Sequence, residues 1–317
     1  MLNKLVLLIL AAIAAVPATA ADLQGTWKLT AEGKVALTLD VQRQPSGDWF
    51  AKVRKPDGMS IENGTSVANM GASTGERTLI DSAGTPEKLA LRFDPARPGE
   101  DRVRMSVAAL DADHAEMIVA IGGQESQPMA LRRAGPSERV ASSWEPRRYS
   151  IDPAWPDNAA IQGLFAEDQA DRADPASIDL SRLIPRDQAR EAQTMVLLNG
   201  GMLRSGQDYY AAAVIFQHGQ EAKDFLLAHS LALAALARGE PQGAWVAAAT
   251  LDRYLQKIGQ PQIYGTQFDA KKGEKASQGN YDRTLVPDSL RQVLGVPSLA
   301  EQEVQRRAWE KEMNPKP

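Results

Sequence analysis

The chain has 317 residues, with 36 Lys and Arg against 40 Asp and Glu, and no cysteine. The missing thiols exclude disulfides, thiolate metal sites, cysteine nucleophiles and the lipid-attachment residue of a lipoprotein, so stability must come from packed cores. The slight negative balance is spread along both halves, leaving no electrostatic footprint for nucleic acid, and the length suits two domains of ordinary size.

Met1 to Lys4 make a short positive start, Leu5 to Val16 are an unbroken apolar run, and Ala18-Thr19-Ala20 has the small-x-small pattern of signal-peptidase substrates. The run is too short for the ~30 Å hydrocarbon core of a bilayer. This pattern predicts a signal peptide over 1–21 and a periplasmic mature protein, not a lipoprotein, with no transmembrane segment after cleavage.

From 22 to 133 the hydrophobic period is two. Val35, Leu37, Leu39 and Val41 alternate with polar or small residues, as do Leu89, Leu91 and Phe93, then Val103, Met105 and Val107, then Met117, Val119 and Ile121. Turn clusters such as Pro45-Ser46-Gly47-Asp48, Lys55-Pro56-Asp57-Gly58 and Pro95-Ala96-Arg97-Pro98-Gly99 separate the runs at antiparallel spacing. An antiparallel β-barrel or sandwich is expected. Residues 62–84, rich in Gly, Ser, Thr and Asn, read as a long loop with one short strand at 77–80. Gly25-Thr26-Trp27 resembles the Gly-x-Trp first strand of lipocalin-like barrels, in which Trp plugs the closed end; the likeness covers only these few residues.

Prolines at 136, 146, 153 and 156 break regular structure, which places a linker at 134–157. Beyond it the period becomes 3.6, predicting helices over 158–172, 186–198, 207–218, 221–238, 241–258, 287–294 and 298–311. Ser205 and Asp208 form a capping-box pair, Gly219 and Gly239 stop helices, and Pro241 can open the next. The composition of 270–279 predicts a flexible surface loop. No segment recurs at a fixed period, so the fold class is α+β in two domains, with a helical bundle over 158–317.

Candidate chemistry lies in the helical half. His229 shares a helical face with Ala222, Phe225, Leu226, Leu233 and Leu236, and Asp252 shares one with Trp245, Ala248, Ala249 and Leu255, so both are expected inside. Counted from the Gly239-Glu240 turn, the two are offset axially by only ~3 Å, which lets them meet as a base and its orienter or as a structural brace. His218 ends its helix, where a cation favours the dipole. Arg253 follows Asp252, and the exit segment Gln260 to Gln267 carries amide and hydroxyl donors on a Gly-permitted bend.

The residues Gln217-His218, Asp252-Arg253 and Pro261-Gln262-x-Tyr264-Gly265-Thr266-Gln267 resemble the signature of a bacterial domain family of unknown function. Asp168-Gln169-Ala170-Asp171-Arg172 matches that family's upstream Asp-Gln-x-x-Arg element. Val286 to Arg291, followed by Gly295 to Leu299, resembles its C-terminal ending. The likeness spans 160–302. It implies a helical fold with a polar cluster and no particular activity; Gly219-Gln220 stands where the family often has Ala-Asp, and His229 falls outside the signature.

Together these readings predict an exported protein that binds a small polar or anionic ligand, or an envelope protein, through Gln217, His218, Asp252, Arg253, Gln262, Tyr264, Thr266 and Gln267. The alternative is a hydrolase or lyase using His218 or His229 with Asp252. No metal site is expected, since no His pair has helical ligand spacing, and no cofactor, since no Walker, dinucleotide or Gly-x-Ser-x-Gly motif occurs.

Overall fold

The computed structural model describes residues 22–94, 102–174, 178–269 and 274–313. The expected signal peptide over 1–21 and the expected turn cluster at 95–99 lie outside them. The chain divides into two compact units, Met1–Ala154 and Trp155–Pro317.

The first unit is built from β1 (Gly25–Ala31), β2 (Lys34–Arg43), β3 (Trp49–Pro56), β4 (Ser60–Glu62), β5 (Ser66–Ala68), β6 (Thr74–Thr85), β7 (Lys88–Phe93), β8 (Val103–Ala109), β9 (His114–Ile121), β10 (Gln124–Glu125), β11 (Met129–Arg133) and β12 (Tyr149–Ser150). Strands β1, β2, β3, β6, β7, β8, β9 and β11 pair antiparallel in that order, and β11 returns to β1, closing an eight-stranded barrel. Barrel rather than sandwich is therefore the outcome. Its cause is visible in the alternation: Leu89, Leu91 and Phe93 of β7 point inward while Lys88, Ala90 and Arg92 point out. Inward side chains from all eight strands meet in one apolar cluster.

Trp27 is fully buried there, donates from its indole to the Leu23 carbonyl at 2.7 Å, and lies under the Arg133 guanidinium at 4.3 Å. Losing such a ring from a packed core costs about 3 to 5 kcal/mol. The β1–β2 turn places Glu32 and Gly33 both at positive φ, 47° and 75°, the twist a two-residue hairpin needs. Glu32 is unusual in that conformation and is held by Arg147 and by the backbone N–H of Ser150.

Two expectations are corrected here. Residues 62–84 are not a loop: β6 runs for 12 residues and pairs with β3 and β7. Its inward positions include Gly75 and Arg77, so no apolar alternation announces it. Nor is 134–157 a free linker. The Ala141 N–H bonds the Val35 carbonyl at 2.9 Å, Lys28 pairs with Glu138, and Tyr149 is fully buried in the barrel core, stacked edge-on against Trp144. The prolines remove regular structure without removing contacts, and the segment straps the outside of β1 and β2.

The second unit contains α1 (Ala159–Ala170), α2 (Leu180–Asn199), α3 (Gly206–Phe216), α4 (Ala222–Ala237), α5 (Gly243–Lys257), α6 (Asp288–Val293) and α7 (Leu299–Met313), matching the seven expected helices. α2 starts six residues before the expected position, with Pro185 inside it. The Ser205/Asp208 capping box opens α3. Ala211, Ala212, Ala213, Ala228, Ala232, Ala247 and Phe216 lie in one core, where small side chains let α3, α4 and α5 approach closely. A Cβ added at Gly243 would fall 2.6 Å from the Ala232 carbonyl oxygen. No helix among the described residues is long and apolar enough to cross a membrane.

Candidate functional site

Two polar networks organise the helical unit, and they differ in whether their donors are used up. The first is centred on Asp252, which α5 buries completely. Its carboxylate accepts from the backbone N–H groups of Ile263, Tyr264 and Thr266 at 2.8, 3.0 and 2.9 Å and from Thr266 Oγ1 at 2.8 Å. Gln262, also fully buried, donates to the carbonyls of Gln267 and Gln278 and accepts from the Gln267 N–H. Arg291, with no exposed surface, donates to the carbonyls of Val286, Ile263 and Tyr264. Gly265 sits at φ +72° with Tyr281 and Gln302 where a Cβ would go. The Gln-x-Tyr-Gly-Thr-Gln segment is thus a backbone fold pinned by the buried side chains of Asp252, Gln262 and Arg291.

The second network gathers at the C-terminal end of α3. His218 Nδ1 lies 3.0 Å from Asp168 Oδ1, a carboxylate only 1% exposed. Arg172, one turn after Asp168, binds Asp168 at 2.8 Å and reaches Asp187 of α2 at 2.6 Å. Arg190 links Asp187 at 2.6 Å to Asp171 at 2.8 Å. Burial raises the Asp168 pKa, but the His218 hydrogen bond and the charges of His218 and Arg172 outweigh it and hold the carboxyl below its ordinary value. In the neutral imidazole, an ionised acceptor places the proton on Nδ1 and leaves the Nε2 lone pair facing away from the carboxylate.

Arg253 joins this end of α3 from α5. Its Nη1 donates to the Gln217 carbonyl at 2.6 Å and its Nε to Gln267 Oε1 at 2.9 Å. Among the described residues no carboxylate pairs with it, and burial, then the positive charge of Arg172, press its pKa below the ordinary value. One guanidinium edge therefore offsets the helix dipole, while Nη2 bonds none of the described residues.

The expected site residues separate accordingly. Asp252, Gln262 and Thr266 are committed to the buried brace, and Gln267 bridges it to Arg253. Gln217, His218 and Arg253 meet at the α3 end, and neither the Gln217 amide nor His218 Nε2 bonds any described residue. Tyr264 keeps its hydroxyl free while burial, followed by the charge of Asp252, pushes its pKa up.

The expected His229–Asp252 pair does not form. His229 Nδ1 lies 2.9 Å from the Ala247 carbonyl oxygen, five residues short of Asp252, roughly 7.5 Å along the helix. The face was misjudged because alanines fill the tight α4 interface, whereas Leu226 and Leu233 are 42% and 48% exposed. Asp168 and Arg172 are the contributors that spacing analysis left out of the site. Their i, i+4 placement is readable; the approach of Asp168 to His218 across 50 residues is not. Among the described residues no cluster of His, Asp or Glu is arranged to hold a metal ion. Comparison with protein-family models, curated proteins and solved structures finds no match to this chain.

Proposed function

We propose that the helical unit binds a small anion at the junction of His218, Gln217, Arg172 and Arg253, within a protein exported to the periplasm. The observation that carries this reading is Arg253: a desolvated guanidinium bonded to Gln217 and Gln267, with no carboxylate partner among the described residues. Leaving such a charge unpaired costs free energy that an anionic ligand would recover, and a guanidinium grips carboxylate or phosphate bidentately. The free amide of Gln217 and the open Nε2 of His218 add neutral polar contacts for the rest of the ligand. The resemblance in the sequence agrees with this reading, since its Asp-Gln-x-x-Arg, Gln-His and Asp-Arg elements are the ones that converge.

Calorimetric titration with orthophosphate and with succinate tests the reading. The parent is expected to bind at least one of them, and Arg253→Gln to lose about tenfold or more in affinity, equivalent to ~1.4 kcal/mol. Binding that is unchanged in Arg253→Gln, or absent for both anions in the parent, refutes it. Export is checked separately by osmotic-shock fractionation and N-terminal sequencing, with a start at Ala21 or Asp22 expected.

A further inference from the structure

The arrangement of His218 supports more than retention of an anion, because a nucleophile stands where the anion is proposed to bind. We propose that His218 Nε2 is a phosphoryl acceptor, attacking the phosphorus of a phosphate monoester held by Arg253, with Asp168 as its positioning residue; this rests on the anion-binding reading above.

Three observations carry the proposal. The imidazole is fixed through Nδ1 by a buried carboxylate, which orients the ring and directs the Nε2 lone pair outward. That carboxylate is itself held by Arg172, so the nucleophile rests on a support with little freedom to turn. Cations converge on the same helix end: Arg253 bonds the carbonyl of Gln217, the residue before His218, and Arg172 bonds the carboxylate that holds His218. Phosphoryl transfer needs mainly positioning and positive charge on the equatorial oxygens, and these groups can supply both.

In the first step the Nε2 pair forms an N–P bond while the P–O bond to the alcohol breaks. The departing alkoxide keeps that electron pair and takes a proton from water. In the second step a water oxygen attacks phosphorus, the N–P bond breaks with its pair returning to Nε2, and the water's protons pass to solvent. The sum is monoester plus water giving alcohol plus orthophosphate.

The molecule contains its own control. His114 also contacts a carboxylate through Nδ1, Asp111 at 2.9 Å, but Asp111 is 43% exposed and no arginine among the described residues pairs with it. The full chain is incubated with phosphoramidate, whose P–N bond to ammonia breaks as the histidine is phosphorylated, and acid-labile modification is mapped by mass spectrometry. His218 is expected to react at least about tenfold faster than His114. Asp168→Asn and Arg253→Gln are expected to slow His218 and leave His114 unchanged. Should Asp168→Asn fail to fold, the comparison of the two histidines within the parent still decides. His218 reacting no faster than His114 overturns the proposal. If orthophosphate still binds in calorimetry, the anion-binding reading survives that result; if phosphate and succinate both fail to bind, both readings fall together.

Discussion

Asp252 illustrates how a single side chain can be legible in its burial and illegible in its purpose. Helical phase places it inside, as found, but its partners are backbone N–H groups of a loop, which no residue type advertises. Charge-assisted bonds to a buried carboxylate are among the stronger ones, so Asp252→Ala is expected to cost about 2 to 4 kcal/mol in urea denaturation. A loss below about 0.5 kcal/mol would contradict the brace. Glu191 offers a pH-dependent test. Burial, then the charges of Asp224 and Asp187, pushes its carboxyl from 4.5 up to about 7. The folded state holds that proton more tightly than the unfolded chain, so the contribution is complete below pH ~4.5 and drains away as pH rises through 7. Glu191→Gln is expected to match the parent near pH 4 and to exceed it at pH 8 by about 1 to 2 kcal/mol after solvent screening. Equal stabilities at both values would mean the carboxyl titrates normally.

At the scale of elements, what could be read followed from period. Strands with a clean inward apolar row, such as β7 and β8, and helices with capping residues, such as α3, were found close to their ends. β6 shows no apolar alternation because Gly75 and Arg77 occupy inward positions, and α2 begins before the expected residue 186, accommodating Pro185 in its second turn. Helix packing also left a misleading trace. Where α4 and α5 meet, the close approach is made with alanine and glycine beside Leu231 and Val246, so Leu226, Leu233 and Trp245 are left exposed and mislead the usual cue. Gly243→Ala is expected to lower the stability of the helical unit by about 1 to 3 kcal/mol, because its Cβ would fall 2.6 Å from the Ala232 carbonyl oxygen. A neutral result by thermal melting would show that the α4–α5 contact yields without strain.

For the whole molecule, the order of a β half before a helical half was readable from the change of period near residue 157. The border between them was not, since proline content marks irregular backbone and not the absence of packing. The strap from Ala134 to Asp152 belongs to the barrel through Ala141, Trp144, Tyr149 and Ile151. A fragment spanning 22–154 is therefore expected to melt cooperatively with a β-type circular dichroism spectrum, whereas one ending at 133 should be markedly less stable. Equal stability of the two fragments would demote the strap to a passive tether. Closure of the barrel has a further consequence for behaviour at high concentration. Each of its eight strands has hydrogen-bonding neighbours on both sides, so no barrel strand presents a whole flank on which another molecule's strand can be laid. Among the described residues the end strands are β4, β10 and β12, two or three residues long and too short to seed a fibril.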